Sequence, residues 1–354
     1  MNILAVDPGS TSTKIGIYFN GKIYKHKVEH LDENFLKIKT VVEQKDIRFD
    51  NIKQFLKDNN FEDVNFDAIV ARGGLIKSVE GGVYEVNERL IEDLKKGVNG
   101  EHPANLGGIL AREFAEIYNC PAFIVDPPII DEMWEIAKIT GVNSITRKSK
   151  FHALNHKEVA RRVAKEKLSK RYEDSILIVA HMGGGITIGL HYYGKVVDVN
   201  NGLDGDGPFA VERAGSLPVD GIIEYLKNTE MSLDKFLKLV VKESGIYSHL
   251  KTKDMIKVED MVTGGDNEAE KVLDAFVYNI SKEIGGLFAA AKGKIDGIVL
   301  TGGLANSKLI VEKIRDYVGF MSEIYVVPGE YEIEALINGA IRVLKGEENA
   351  KIYE

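Results

Sequence analysis

The chain has 354 residues, 44% hydrophobic and 28% charged, with a formal net charge of −8 and a single cysteine, Cys120. One cysteine excludes an intramolecular disulfide and a cysteine-based zinc site, and the acidic balance without a dense basic run argues against nucleic acid or an anionic membrane as partner. At about 100–200 residues per domain the length predicts two domains, no apolar run nears the roughly 20 residues of a membrane span, and the opening reads as a strand rather than a signal peptide, so a cytoplasmic protein is expected.

Residues 2–7 (NILAVD) read as a buried strand, followed by the polar turn PGSTST. Residues 15–19 form a second strand, Asn20-Gly21 a hairpin turn and KIYKHKV a third strand. Residues 32–60 show charged helical periodicity. FDAIVARGG (66–74) is a strand ending in a glycine pair, 87–97 a helix, and 102–118 a polar opening leading into an amphipathic helix. CPAFIVDPP (120–128) is a strand stopped by Pro127-Pro128. A helix near 156–170 leads into the strand SILIVAH (175–181). The last helix, 332–348, spaces Ile333, Leu336, Ile337, Ala340 and Val343 on one face and is expected to return to the first domain.

One stretch occurs twice. Gly16-Ile17-Tyr18-Phe19-Asn20-Gly21-Lys22-Ile23 matches Gly189-Leu190-His191-Tyr192-Tyr193-Gly194-Lys195-Val196. Each follows an apolar strand and a small-residue turn, and each leads into another strand. Gly-Lys hairpins are common, but the upstream turns stand in register too. The pattern predicts two copies of one mixed α/β unit, with ligands in the cleft between them.

Three turns have the composition of phosphate cradles. In Asp7-Pro8-Gly9-Ser10-Thr11-Ser12-Thr13-Lys14, glycine lets the backbone approach a ligand while amides and hydroxyls point at it. Asp7 suits a hydrated Mg²⁺, which takes few carboxylates. In His181-Met182-Gly183-Gly184-Gly185-Ile186-Thr187, three consecutive glycines are entropically costly, and close approach of a nucleotide phosphate explains them. Val299 to Asn306 is a strand ending in Gly302-Gly303 before a helix, which suits nucleoside contact. Read alone, a turn like the first is more often a plain hairpin. No Walker loop and no GxGxxG after the first strand occurs.

Two such turns in duplicated domains plus a late strand–Gly–Gly resemble the actin-like ATPase superfamily. Within it, NILAVDPGSTSTK and FHALNHKEVARR (151–162) resemble the corresponding segments of acetate kinases. The stretch 201–218 (NGLDGDGPF through ERAGSLP), ARGG (71–74), HPANLGG (102–108) and VDPP (125–128) are similar to the butyrate kinase branch, over nearly the whole chain. The resemblance implies two duplicated actin-like (ribonuclease H-like) domains of mixed sheets flanked by helices, 1–150 plus 333–354 and 151–332, the second carrying most of the nucleotide site.

It implies active-site roles for Arg72 and Arg213, a catalytic Asp126, and His152 and His181 beside the transferred phosphoryl group. Asp7 stands where acetate kinases usually carry asparagine. Glu332, or Glu330, matches a magnesium-linked glutamate. Ser10, Ser12, Lys14, Gly183, Gly184, Gly185, Thr187, Asp254, Gly302, Gly303 and Asn306 are the candidate nucleotide contacts. The arginine that accompanies the acidic residue in acetate kinases is replaced by Ile256. His102 is a weaker candidate on the substrate side. ATP/ADP and Mg²⁺ are the implied cofactors, a short-chain carboxylate the substrate, and a homodimer or higher homo-oligomer the assembly.

The chemistry agrees with these residue types. A carboxylate attacking a γ-phosphate brings two anions together, and arginine is permanently charged and binds oxygens bidentately. The carboxylate is already ionised at pH 7, so the histidines are expected as hydrogen-bond donors rather than bases. Butanoate is the expected acceptor. Acetate, propionate, isobutyrate or a sugar are alternatives, as is a non-catalytic actin-like ATP-binding protein. A pocket discriminates one methylene by only about 1–3 kcal/mol.

Overall fold

The computed structural model describes residues 1–30, 35, 38 and 40–354; the start of the helical stretch expected from residue 32 falls partly outside them. Two compact units result: Met1–Asp131 with Ala153–Glu158 and Tyr331–Glu354, and Glu132–His152 with Val159–Glu330. Along the chain the helices are α1 (Lys45–Asp58), α2 (Glu88–Lys96), α3 (Asn105–Tyr118), α4 (Glu135–Lys138), α5 (Ala153–Glu166) and α6 (Val219–Thr229). They continue with α7 (Leu233–Lys242), α8 (Gly245–Leu250), α9 (Met255–Thr263), α10 (Asn267–Ala290), α11 (Lys308–Val318) and α12 (Glu332–Leu344).

The first unit holds six strands: β1 (Ile3–Pro8), β2 (Ser12–Phe19), β3 (Lys22–Glu29), β4 (Ala68–Arg72), β5 (Val83–Glu85) and β6 (Ala122–Val125), ordered β3-β2-β1-β4-β6-β5. β1, β2 and β3 are antiparallel neighbours, whereas β4 and β6 run parallel to β1. Asn20 (φ 51°) and Gly21 (φ 76°) both take positive φ, the geometry that matches a two-residue hairpin to strand twist. β1 is buried at every position because both faces are covered. Leu4 and Val6 pack with Leu106, Leu110 and Phe114 of α3, while Ile3 and Ala5 pack with Ile333, Leu336 and Ile337 of α12. The lysine-rich β3 takes the sheet edge, where charge discourages pairing with another chain.

The second unit repeats this plan with β7 (Ile176–Met182), β8 (Ile186–Tyr192), β9 (Lys195–Val199), β10 (Gly297–Gly302) and β11 (Ile324–Pro328). Their order, β9-β8-β7-β10-β11, reproduces β3-β2-β1-β4-β6, again as a meander extended by two parallel strands. The hairpin equivalent to Asn20-Gly21 is Tyr193-Gly194, with φ 48° and 84°. Ile178, Ala180, Ile188 and Leu190 form a core with Phe276, Ile280 and Ile284 of α10 and Ile310 and Ile314 of α11. The expected fold class, two mixed sheets of common plan flanked by helices, is the one observed.

Candidate active site

In the first unit three parallel strands end side by side, and each presents a charged residue at its carboxyl end: Asp7 on β1, Arg72 on β4 and Asp126 just beyond β6. Open α/β sheets bind ligands outside these ends. Asp7 is buried, and its Oδ1 lies 3.4 Å from Arg72 Nη1. Antiparallel register sets Lys14 opposite Asp7, and Lys14 Nζ lies 3.6 Å from Glu332 Oε2 in the first turn of α12. Arg72, Asp7, Lys14 and Glu332 thus alternate in charge around the mouth of the first turn. Glu332 is buried in this unit, whereas Glu330 is exposed in the other.

ARGG and HPANLGG fit into each other. A β-carbon on Gly107 would strike the Arg72 carbonyl, so glycine lets α3 close on the end of β4. Asn105 Oδ1 accepts from Leu75 N–H at 2.8 Å, and its amide donates to Gly100 O at 3.0 Å. His102, at the entrance to α3, accepts from Ala104 N–H through Nδ1 at 3.1 Å, which leaves the proton of the neutral ring on Nε2. Burial and the positive charge of Arg72, partly offset by Asp7, push the His102 pKa down to about 4.

Asp126 is buried with φ 39°, a left-handed conformation uncommon outside glycine and one that stores strain. Its Oδ1 accepts from Gly82 N–H at 2.8 Å, while its own N–H donates to Gly82 O at 3.0 Å. Among the described residues no group of three or more histidine, cysteine, aspartate or glutamate side chains could cage a metal. Two carboxylates, Asp7 and Glu332, linked through Lys14, nevertheless fit Mg²⁺, which retains most of its waters and takes one or two carboxylates.

In the second unit the corresponding sheet end carries the two histidines. His152, just before α5, stacks on His181 at the end of β7, with ring centroids 4.0 Å apart and planes 14° from parallel. His152 Nδ1 lies 2.9 Å from Thr187 Oγ1, and strand register places Thr187 directly opposite His181.

The three glycines form the turn between β7 and β8, closed by Gly183 N–H donating to Gly185 O at 3.1 Å. None has positive φ. Gly184 faces open space, leaving its backbone accessible to a ligand. Gly185 is required for another reason: a β-carbon there would overlap the Arg213 guanidinium. Arg213 Nη1 donates to Gly202 O, and its buried Nε has no hydrogen-bond partner among the described residues. Burial holds this guanidinium below the usual arginine pKa.

Gly302 (φ 86°) presses on the Met182 backbone, so its requirement is also structural. Gly303 faces open space, and Asn306 donates to Gly303 O at 2.9 Å. Asp254 is exposed and caps α9, accepting from the amides of Ile256 and Lys257. Among the described residues, neither Asn306 nor Asp254 hydrogen-bonds to the histidine pair or Arg213.

The family model of the acetokinase family matches residues 132–326, more than half of the chain. The chain belongs to the acetokinase family. Its fold is similar to that of acetate kinase from Porphyromonas gingivalis (TM-score 0.80, 20% identity, covering 97% of this chain and 99% of that one). It is also similar to a propionate kinase from Francisella tularensis subsp. tularensis SCHU S4 (TM-score 0.74, 20% identity, 95% and 98% covered). A third similar structure is acetate kinase from Entamoeba histolytica (TM-score 0.79, 16% identity, 98% and 100% covered). At these identities the likeness is one of fold.

For this member of the acetokinase family, sequence reading did not single out Arg48, whose buried guanidinium donates to Gly9 O, Ser12 O and Thr13 Oγ1, and it gave His102 only a weaker place on the substrate side. The available signal for His102 was its place as the first residue of the HPANLGG motif, whose Gly107 closes on the Arg72 carbonyl. For Arg48 there was none, because an arginine in a charge-rich helical stretch looks like part of a solvated face.

Proposed function

We propose that the chain is an ATP-dependent kinase of short-chain carboxylates with butanoate as acceptor: butanoate + ATP ⇌ butanoyl phosphate + ADP. Membership of the acetokinase family supports the carboxylate class, and the NGLDGDGPF and ERAGSLP segments support the butanoate branch. The observation that carries the reading is Arg213 seated against Gly185, with a buried and unspent Nε–H. Such a donor suits an anion carrying more charge in the transition state than in the ground state.

In the proposed reaction a carboxylate oxygen of butanoate forms a bond to the γ-phosphorus as the bond from phosphorus to the β,γ-bridging oxygen breaks. The electron pair leaves with ADP, and no proton is transferred. Arg72 and Arg213 offset the charge of the two anions. His152 and His181 donate to phosphoryl oxygens, and the Thr187 hydroxyl fixes the His152 ring. Ser10, Ser12 and Lys14 address phosphate from the first turn and Gly183 and Gly184 from the second. Gly303, Asn306 and Asp254 lie on the nucleoside side, and Asp126 orients the reacting group. Asp7 and Glu332 would hold Mg²⁺ through water, and that ion supplies further neutralisation of phosphate charge. No helix among the described residues is long and apolar enough to cross a membrane. A cytoplasmic homodimer or higher homo-oligomer completes the proposal.

The test is to incubate the protein with MgATP and each straight or branched C2–C5 acid and trap acyl phosphate as hydroxamate. Butanoate should give the highest kcat/KM. Absence of product with every acid would sink the carboxylate kinase reading, and a strong preference for acetate would sink butanoate.

A further inference from the structure

Arg48, in the first turn of α1, is fully buried, and all five of its N–H groups are spent. Nη2 donates to Gly9 O at 2.8 Å, and Nη1 to Ser12 O at 3.0 Å and Thr13 Oγ1 at 2.8 Å. Nε and Nη2 share Gln44 Oε1 at 3.2 and 2.8 Å. The Phe35 ring lies 5.1 Å from Cζ. Thr13 Oγ1 is also 2.8 Å from His30 Nε2, itself buried.

Every acceptor in this set is neutral, and no carboxylate of the described residues pairs with the guanidinium. Burial lowers the Arg48 pKa to about 10, which leaves the group charged at neutral pH. A buried charge without an opposite partner is costly to keep. Stability alone is therefore a poor reason for this arrangement. The turn that Arg48 holds supplies a better one. Its carbonyls at Gly9 and Ser12 are drawn inward, and Gly9 N–H also donates to Ser12 O at 2.7 Å. Ser10 and Thr11 are exposed, and their amides donate to none of the described residues. A turn whose carbonyls are held by a buried cation and whose amides have no acceptor among the described residues has the donors of an anion-binding concavity.

We propose that Arg48 is a positioning residue that turns the Gly9–Thr13 segment into an anion site, its buried charge, which no carboxylate of the described residues pairs, taking a bound phosphoryl group as counter-charge. The proposal rests on the reading of this turn as a phosphate site. Arg48 acts through the turn, by holding its geometry and by the potential it adds beneath it, and touches no substrate itself.

Gln44→Glu is the discriminating variant. It places a carboxylate against the Nε–Nη2 edge, neutralises the guanidinium in place and leaves the contacts to Gly9, Ser12 and Thr13 intact. Isothermal titration of the full chain with inorganic phosphate should show an affinity about 10-fold weaker in Gln44→Glu than in wild type, with Tm unchanged or raised. Arg48→Gln should lose at least as much, and Arg48→Lys, which keeps the charge, should recover part of the loss. Parallel titrations with MgADP and the KM for butanoyl phosphate identify whether nucleotide or acyl phosphate supplies the phosphoryl group. A Gln44→Glu protein that binds phosphate like wild type overturns the proposal, as does a wild type that binds no phosphate. Loss of phosphate affinity in Gln44→Glu supports it even if no acid is phosphorylated, so its failure and that of the kinase reading are separable.

Discussion

The Arg213 guanidinium occupies the space that a β-carbon on Gly185 would need. The third glycine of the turn is therefore a seat for an arginine as much as part of a ligand cradle. Gly185→Ala should displace Arg213 and lower kcat by about 10²-fold, the range for loss of one preorganised transition-state donor. Because Gly185 does not take positive φ, alanine costs the backbone little, and Tm should stay within a few degrees. The double variant Gly185→Ala/Arg213→Ala should be no slower than Arg213→Ala alone, because both changes remove the same interaction. Normal turnover by Gly185→Ala would show that the seat is irrelevant to catalysis.

The bond between Thr187 Oγ1 and His152 Nδ1 leads to a gentler expectation. Thr187→Val keeps the branched shape on β8 but removes the hydroxyl. A typical hydrogen bond contributes about 0.5–1.5 kcal/mol, so the His152 ring should be held less firmly and kcat should fall about 2–10-fold. His152→Ala should cost about 10²-fold or more, since it removes the donor itself. Steady-state kinetics of both variants check the ranking; equal losses would mean that Thr187 does more than orient the ring.

These contacts show how far the residues alone could lead. The meander strands were legible because NILAVD and SILIVAH are continuous apolar runs and because Asn20-Gly21 and Tyr193-Gly194 stand in register. The duplication followed from that register and reappears as a shared strand order. Several features were not legible. Asp126 reads as a strand stop before two prolines, yet it takes a left-handed φ and exchanges two bonds with Gly82, 44 residues away. β5, which brings Gly82 there, has only three residues and too little pattern to detect. Gly185 and Gly302 announce close approach, but only the fold shows that the approaching groups are Arg213 and the Met182 backbone. Arg48 is indistinguishable by composition from the charged residues around it on α1.

Asp126 separates two roles that one side chain holds together. Alanine would leave the buried Gly82 N–H without its acceptor and force a left-handed φ on a residue that resists it. Asp126→Ala should destabilise the protein by about 1–3 kcal/mol in urea unfolding. Asparagine keeps the Oδ1 acceptor and tolerates the left-handed region, so Asp126→Asn should unfold within about 1 kcal/mol of wild type. If the carboxylate orients the reacting group as proposed, Asp126→Asn should still lose more than 10-fold in kcat. A fully active Asp126→Asn protein would reduce Asp126 to a structural clasp.

His102 makes a prediction about acid stability whose sign is fixed by its surroundings. Its pKa falls from an ordinary value of 6.5 to about 4 because the ring is buried and near Arg72, with Asp7 opposing. Protonation would also set an N–H against the Ala104 amide that Nδ1 now accepts. Between pH 6.5 and about 4 the unfolded chain therefore binds a proton on this ring that the folded chain does not. Stability falls as pH drops through that window and is unaffected by this residue above it. The full effect is on the order of 3 kcal/mol. His102→Gln removes the titrating group, so its urea midpoint should decline less than that of wild type between pH 7 and pH 4.5. Carboxylates titrate in both proteins, and the difference between the two curves isolates His102. Parallel curves would mean that the ring is protonated in the folded protein and donates from both nitrogens, which contradicts its bond to Ala104.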